Sequence, residues 1–165
     1  MSAISTPVAS NLQQAVYSTK TINGTAAASP NIVPIFRITG NVQIVRLSGN
    51  VTTALANHTA ASFRVNDQTV QTQVTSLAGS SCTNFVSGSY IYKGAAAGTA
   101  VSARNSNVAQ IVDSGSFVGF FVQAKNGANT DIEYVYTTTD SPTSGVIEFR
   151  CDWTPLSSGA LVVAI

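Results

Sequence analysis

Apolar and polar side chains alternate strictly in VIEFRCDW, residues 146–153. Successive side chains of a β-strand point to opposite faces of the sheet, so this period of two predicts a strand with one buried face. The apolar face carries Ile147, Phe149, Cys151 and Trp153, and the other face carries Val146, Glu148, Arg150 and Asp152. Pro155 ends this strand because proline has no backbone N–H to donate to a sheet. The unbroken apolar run ALVVAI, residues 160–165, then predicts a final strand that is covered on both sides.

Similar patterns recur along the chain and predict roughly eight to ten strands in all. The others lie at residues 33–39, 42–47, 61–65, 69–77, 89–93, 108–113, 116–124 and 131–139. Gly40 and Gly49 are expected to separate the first strands, and residues 125–129 to form the turn of a hairpin. Residues 1–30 are small, polar and weakly patterned, which predicts an extended N-terminal arm. We therefore expect an all-β fold, with a single antiparallel β-sandwich or jelly-roll-like domain over residues 31–165.

The composition supports this fold class. The chain has 165 residues, which is enough for one domain with a sizeable core. It contains 19 Val, 19 Thr and 11 Ile but only 6 Leu, 3 Lys and 2 Glu. β-Branched residues favour pleated strands, whereas Leu, Lys and Glu are common helix formers. The strands show no repeat at a fixed period, which argues against a propeller or a solenoid.

Charged residues make up only 9% of the chain, compared with roughly 25% in ordinary soluble domains. So few charges protect weakly against association, and we expect other molecules to cover much of this surface. The formal net charge is +1 and the basic residues are scattered, so neither nucleic acid nor a membrane is an expected partner. No apolar run reaches the roughly 18 residues of a membrane span, and residues 1–30 carry no secretory signal pattern.

Side chains that usually carry catalysis or hold metals are scarce and dispersed. His58 has small polar neighbours, which predict a surface or turn position. The alternative is that His58 belongs to a catalytic Ser–His–Asp set, but the sequence contains no GxSxG motif to support it. Cys82 and Cys151 can pair, but we expect two reduced thiols, one on a loop and one in a strand. Neither belongs to a CxxC motif, and no calcium or phosphate loop is present, so we expect no metal site and no cofactor.

Several carboxylates are candidates for the pair that glycoside hydrolysis requires. They are Asp113, Asp131, Glu133, Asp140, Glu148 and Asp152. Asp131 and Glu133 share a strand face, as do Glu148 and Asp152, but each pair lies opposite the apolar face. Acids at such positions usually face water. Arg150, between Glu148 and Asp152, favours charge pairing over catalysis.

Two stretches of the chain resemble small structural proteins of tailed bacteriophages. They are PIFRITGNVQIVRLSGNVTTAL, residues 34–55, and GVIEFRCDWTPLSSGALVVAI, residues 145–165. The matching positions in the first are Ile35, Phe36, Ile38, Thr39, Gly40, Gly49, Val51, Thr52, Thr53 and Ala54. In the second they are Trp153, Pro155, Leu156, Gly159, Ala160, Val162 and Ala164. The chain departs from the family pattern in ending Ala-Ile and in having Ser157 and Ser158 where acidic residues are common.

The resemblance implies a non-enzymatic virion protein of the head decoration, or cement, type. Such a protein is made in the host cytoplasm, binds the major capsid protein on the outer capsid surface, and commonly forms a homotrimer. The resemblance implies no catalytic, cofactor-binding or metal-binding residues. On this interpretation residues 1–30 contact the capsid or a sister subunit, and the terminal strand packs between its own sandwich and a sister subunit.

Two alternatives to this role stay open. Tyr90 and Tyr92 share a face of a short strand, which suits either sugar stacking or the capping of a sheet edge. The chain would then be a tail-associated or host-surface carbohydrate-binding module that uses residues 79–106. The third hypothesis is a small glycosidase, which requires two carboxylates close together in a cleft.

Overall fold

Eleven strands form two antiparallel sheets in the part of the chain that this computed structural model describes, residues 12–24, 30–77, 82–104, 114–139 and 145–165. Sheet A contains β1 (Gln14–Ile22), β3 (Asn41–Thr53), β6 (Tyr90–Tyr92), β7 (Ser102–Arg104), β8 (Phe120–Gln123) and β10 (Gly145–Pro155). Sheet B contains β2 (Asn31–Thr39), β4 (His58–Asn66), β5 (Gln71–Gln73), β9 (Thr130–Thr138) and β11 (Leu161–Ala164). The sheets pack face to face, which confirms the all-β sandwich that the alternation predicts.

The strands pair in a nested order that is characteristic of a jelly roll. β1 pairs with β10, β2 with β9, β3 with β6 and β4 with β5, each time antiparallel. The two main layers therefore run β1-β10-β3-β6 and β2-β9-β4-β5, as in one long hairpin folded over on itself. The additional strands lie outside this pattern: β7 extends sheet A, β8 pairs with the start of β3, and β11 extends sheet B beyond β2.

β1 belongs to the sandwich, so the prediction of a separate arm is wrong for residues 14–22. The strand pairs with β10 from Gln14, opposite Trp153, to Ile22, opposite Gly145. Ile22 is 2% exposed and belongs to the core. The weak patterning of this stretch has a physical reason, since its inward face carries serine and lysine as well as apolar residues. Residues 1–11 and 25–29 of the expected arm lie outside the described residues.

β-Bulges allow β3 and β2 to bury apolar residues that strict alternation would place on opposite faces. Val45 is an extra residue of β3 with no counterpart on β10. Ile44 and Leu47, which strict alternation places on opposite faces, are therefore both buried. A similar irregularity in β2 buries the consecutive residues Ile35 and Phe36. The bulges thus turn more apolar side chains inward than a regular strand could.

Three aromatic rings join the two sheets at the centre of the core. Phe149 of sheet A contacts Tyr134 and Phe63 of sheet B, with ring centroids 5.0 Å and 6.2 Å away. Trp153, 2% exposed, is the largest side chain of this core. Gly49 is not the predicted break between strands but lies inside β3. A Cβ at Gly49 would come within 3.0 Å of Phe149 Cδ1 on the neighbouring β10, so a larger residue there would displace the Phe149 ring.

The local predictions in the middle of the chain are only partly correct. β8 belongs to sheet A and β9 to sheet B, so residues 125–129 cross between the sheets and do not form a hairpin. The strand predicted at 69–77 is reduced to β5, and the one predicted at 116–124 begins only at Phe120. The strand predicted at 108–113 lies outside the described residues.

Truncating Ile22 tests whether β1 is an integral strand. Ile22→Ala is expected to lower the free energy of unfolding by about 2–4 kcal/mol, because it leaves a cavity between the sheets. Leu12→Ala is the matched control, since Leu12 is 70% exposed and should change stability by less than about 0.5 kcal/mol. Urea denaturation of both variants measures the difference, and equal stabilities would contradict a role for β1 in the core.

Candidate functional site

His58 is buried between the sheets, so the predicted surface or turn position is wrong. It is 1% exposed, and its ring stacks on Tyr136 with the centroids 5.3 Å apart. Nδ1 lies 3.0 Å from the backbone carbonyl oxygen of Cys82, and Nε2 lies 2.9 Å from the hydroxyl oxygen of Tyr134. A carbonyl only accepts, so Nδ1 donates to Cys82 and Nε2 accepts from Tyr134. Both ring nitrogens are occupied, which leaves none to serve a Ser–His–Asp set.

The surroundings of His58 keep its imidazole neutral. Burial lowers the pKa of His58 to about 4, because the charged ring would lose its hydration between the sheets. The hydrogen bond to Cys82 opposes this shift but is the smaller effect. His58 is therefore a neutral core residue whose two hydrogen bonds join β4 to β9 and to the segment that follows β5.

Asp131 and Glu133 lie on the outer face of sheet B, as the alternation predicts, but they are buried and do not face water. Arg37 Nε lies 2.8 Å from Asp131 Oδ1, and Arg64 Nε lies 2.5 Å from Glu133 Oε2. Asn66 Nδ2 donates to the other oxygen of Glu133 at 2.9 Å. Each carboxylate is thus held by a charged partner, an arrangement that suits a stable sheet face better than proton exchange with a substrate.

Glu148 and Asp152 lie on β10, on the outer face of sheet A. Four residues of strand separate their Cα atoms by about 13 Å. Asp152 is fully buried, and its Oδ1 accepts a hydrogen bond from Arg150 Nε at 2.7 Å. Its Oδ2 lies 3.2 Å from Arg46 Nε. The predicted charge pairing of Arg150 is confirmed for Asp152, and this hydrogen bond raises the pKa of Arg150.

The two cysteines are free and buried, as expected. Burial raises the pKa of Cys82 to about 12 and raises that of Cys151 as well, so both thiols stay protonated and unreactive. No group of three His, Cys, Asp or Glu side chains that could hold a metal ion occurs among the residues described here. Asp113 and Asp140, the remaining candidate acids, lie outside those residues.

Tyr90 and Tyr92 do not form the exposed pair that sugar stacking on both rings would require. Phe117 packs against them, with ring centroids 6.5 Å from Tyr90 and 5.3 Å from Tyr92. The guanidinium carbon of Arg46 lies 4.7 Å from the centre of the Phe117 ring. Tyr92 is consequently only 6% exposed, whereas Tyr90 keeps an intermediate exposure. Of the two tyrosines considered for sugar stacking, Tyr90 alone can offer a surface to a ligand.

A groove of about 470 Å³ crosses the outer face of sheet A beside Tyr90. Strand register arranges its lining in two rows, Tyr17–Arg150–Ser48 and Glu148–Asn50–Tyr90. The guanidinium carbon of Arg150 lies 5.5 Å from the centre of the Tyr17 ring. Sequence patterning does not single out Tyr17, since residues 1–30 are predicted to be an arm. The alternation of outward Tyr17 and Thr19 with inward Val16 and Ser18 is the signal that could have found it.

β11 forms the outer edge of sheet B and leaves apolar side chains exposed. Val162 packs into the core at 4% exposure, but Leu161 is 48% and Val163 is 37% exposed. The prediction that both faces of ALVVAI are covered is met within one chain for the inner face alone, and cover for the other face by a sister subunit stays a prediction. Among the described strands β11 pairs with β2 alone. Lys20 of β1 donates to the carbonyl oxygen of Ile165, which joins the edges of the two sheets.

No protein-family model, curated protein or solved structure matches the chain. None of the helical structure in the described ranges is long and apolar enough to cross a membrane. Among the residues that the structure describes, the groove on sheet A and the apolar edge of sheet B are two surfaces that suit a ligand or a partner chain.

Acidification is expected to destabilise the protein through His58. Its pKa is near 6.5 in the unfolded chain and about 4 in the fold, so the unfolded state binds more protons between these values. The stability that neutral His58 contributes is fully present above pH 6.5. It is lost as the pH falls toward 4, by on the order of 3 kcal/mol. His58→Gln should flatten this part of the pH dependence in urea denaturation. An NMR titration of His58 that gives a pKa near 6.5 in the folded protein would contradict the account.

Proposed function

We propose that this chain is a non-enzymatic structural protein of a tailed-bacteriophage virion, which decorates and stabilises the outer surface of the capsid. The observation that carries the proposal is the apolar edge strand β11, whose exposed Leu161 and Val163 lie within the stretch that resembles this family. The resembling residues 34–55 lie mainly in β2 and β3, and residues 145–165 include β10 and β11. β2 and β11 are neighbours in sheet B, and β3 and β10 are neighbours in sheet A.

The exposed apolar edge at β11 is a surface that a partner chain would stabilise by covering it. An edge strand presents unpaired backbone N–H and C=O groups, and apolar side chains beside them make the edge prone to association. Leu156, in the turn before β11, adds a third exposed apolar side chain at 51%. With only 9% charged residues, the chain has few charges to keep copies apart. We assign this edge to contacts with a sister subunit and with the major capsid protein.

A shell-bound homotrimer suits surfaces of this modest size. Each chain offers one short apolar edge, which gives a weak contact on its own. Three linked chains on a regular lattice convert such contacts into tight attachment, because the second and third contacts form intramolecularly. Repetition on a capsid surface therefore supplies affinity that the edge of one chain lacks.

The state of the polar side chains supports a structural role over an enzymatic one. His58 is neutral and uses both ring nitrogens inside the core. Asp131, Glu133 and Asp152 are each paired with arginine. Groups that are already paired in this way stabilise a fold and are poorly placed to bind and release protons during turnover.

Placing charge on the β11 edge tests the proposal. Wild-type protein is expected to sediment as a species of three times the 17.1 kDa chain mass and to bind capsid shells assembled without it. The double variant Leu161→Glu/Val163→Glu should be monomeric and should bind shells at least tenfold more weakly, because a charged edge cannot be buried against a partner. Analytical ultracentrifugation and co-sedimentation measure the two effects.

Val70→Glu is the matched control, since Val70 is also exposed, at 57%, but lies between β4 and β5. It should trimerise and bind shells like the wild type. Thermal unfolding of both variants checks that the sandwich is retained. A monomeric wild type that ignores the shells, or a double variant that binds them normally, would overturn the proposal.

A further inference from the structure

The groove on sheet A combines aromatic faces with polar groups. We propose that it binds a neutral, hydroxyl-rich oligosaccharide, with Tyr17 and Tyr90 as stacking surfaces at its two ends. Tyr17 lies on β1 and Tyr90 on β6, with β10 and β3 between them. Three strand spacings separate β1 from β6 by about 14 Å, and the two tyrosines are also offset by two residues along the strands. A short chain of sugar rings can therefore lie across the strands, between the two tyrosines.

Polar side chains between the tyrosines match the needs of sugar hydroxyl groups. Glu148 offers a carboxylate, Asn50 a carboxamide and Arg150 a guanidinium within this one groove. Neighbouring sugar hydroxyls donate and accept at once, so they can use acceptors and donors that stand side by side. The volume of about 470 Å³ is within the usual range for small-ligand sites.

Glu148 and Asn50 keep their hydrogen-bonding capacity, in contrast to the carboxylates on the outer face of sheet B. Glu148 and Asn50 form no hydrogen bond or ion pair with another side chain in the part of the protein that is described. On sheet B, Glu133 is held by Arg64 and Asn66. A carboxylate and an amide on the outer face of sheet A are thus available to a ligand, whereas the buried carboxylates of sheet B are held by arginine.

Ser48 provides an independent indication of a ligand at the groove. It is 1% exposed and lines the groove beside Arg150, yet its Oγ has no hydrogen-bond partner within the described ranges. A buried hydroxyl group without a partner costs stability, so such groups are rare in folded proteins. A ligand hydroxyl group that reaches Ser48 beside Arg150 would satisfy it.

The charges of the groove favour an uncharged ligand. Arg150 is already hydrogen-bonded to Asp152, and Glu148 places a negative charge in the adjacent row. An anionic ligand would therefore meet an arginine that is partly neutralised and a carboxylate that repels it. Sugars without carboxylate, sulfate or phosphate groups avoid this repulsion.

A glycan array with neutral and acidic oligosaccharides tests the proposal, using the full chain. Neutral glycans are expected to bind, and calorimetry on the strongest binder gives its affinity. Tyr17→Ala and Tyr90→Ala should each weaken that affinity roughly tenfold through the loss of a stacking surface. Tyr17 is 50% exposed, so its replacement should leave the fold intact. Phe121→Ala is the control, because Phe121 is 71% exposed and lies outside the groove.

Ser48→Ala separates a role in binding from a role in folding. Removing the unpartnered hydroxyl group should leave the melting temperature unchanged or raise it, while glycan affinity falls several-fold. Absence of any neutral glycan from the array hits, binding of acidic glycans alone, or affinities that both tyrosine variants leave unchanged would overturn the proposal. The result is independent of capsid attachment, since the β11 edge belongs to the other sheet and stays intact in these variants.

Discussion

The backbone hydrogen bonds of β10 close this fold, because β10 pairs with β1 on one side and with β3 on the other. The strand carries Ile147, Phe149 and Trp153 into the core and thereby positions the aromatic contacts that join the two sheets. Among the strands described here, β1 would lose its pairing partner without β10, and β3 would lose its neighbour on that side. Pairing between distant segments also predicts slow folding, because loop closure precedes most of the gain from burial.

The same arrangement explains why the outer faces are available for other purposes. Bulges such as the one at Val45 turn additional apolar residues inward and help to fill the core. On sheet B the outer face is occupied by ion pairs between neighbouring strands, including Arg37–Asp131 and Arg64–Glu133. On sheet A the corresponding positions form a groove with unpaired polar groups. One fold thus carries a stabilised face, a face suited to a ligand and an apolar edge suited to a partner chain.

Local pattern predicts the long strands β2, β3, β9 and β10 well, but it misses β1 and predicts the surroundings of the strands poorly. The alternation in β10 and its end at Pro155 are written into consecutive residues, so they can be read directly. His58 is different, because its hydrogen-bond partners lie 24 and 76 positions away and only the nested pairing brings them to it. Asp152 is likewise buried by Arg46 from the neighbouring β3. The groove depends on the same effect, since Tyr17 joins Tyr90 only after β1 has paired with β10.

The proposed structural role on a capsid would account for the low charge, the paired acids and the apolar edge, and one measurement tests it most directly. A cryo-electron microscopy map of the intact virion should show this jelly roll on the outer capsid surface, around three-fold positions. Each copy should have Leu161 and Val163 covered by a neighbouring chain. A virion map without density for this sandwich, or one in which the β11 edge faces solvent in every copy, would contradict the account.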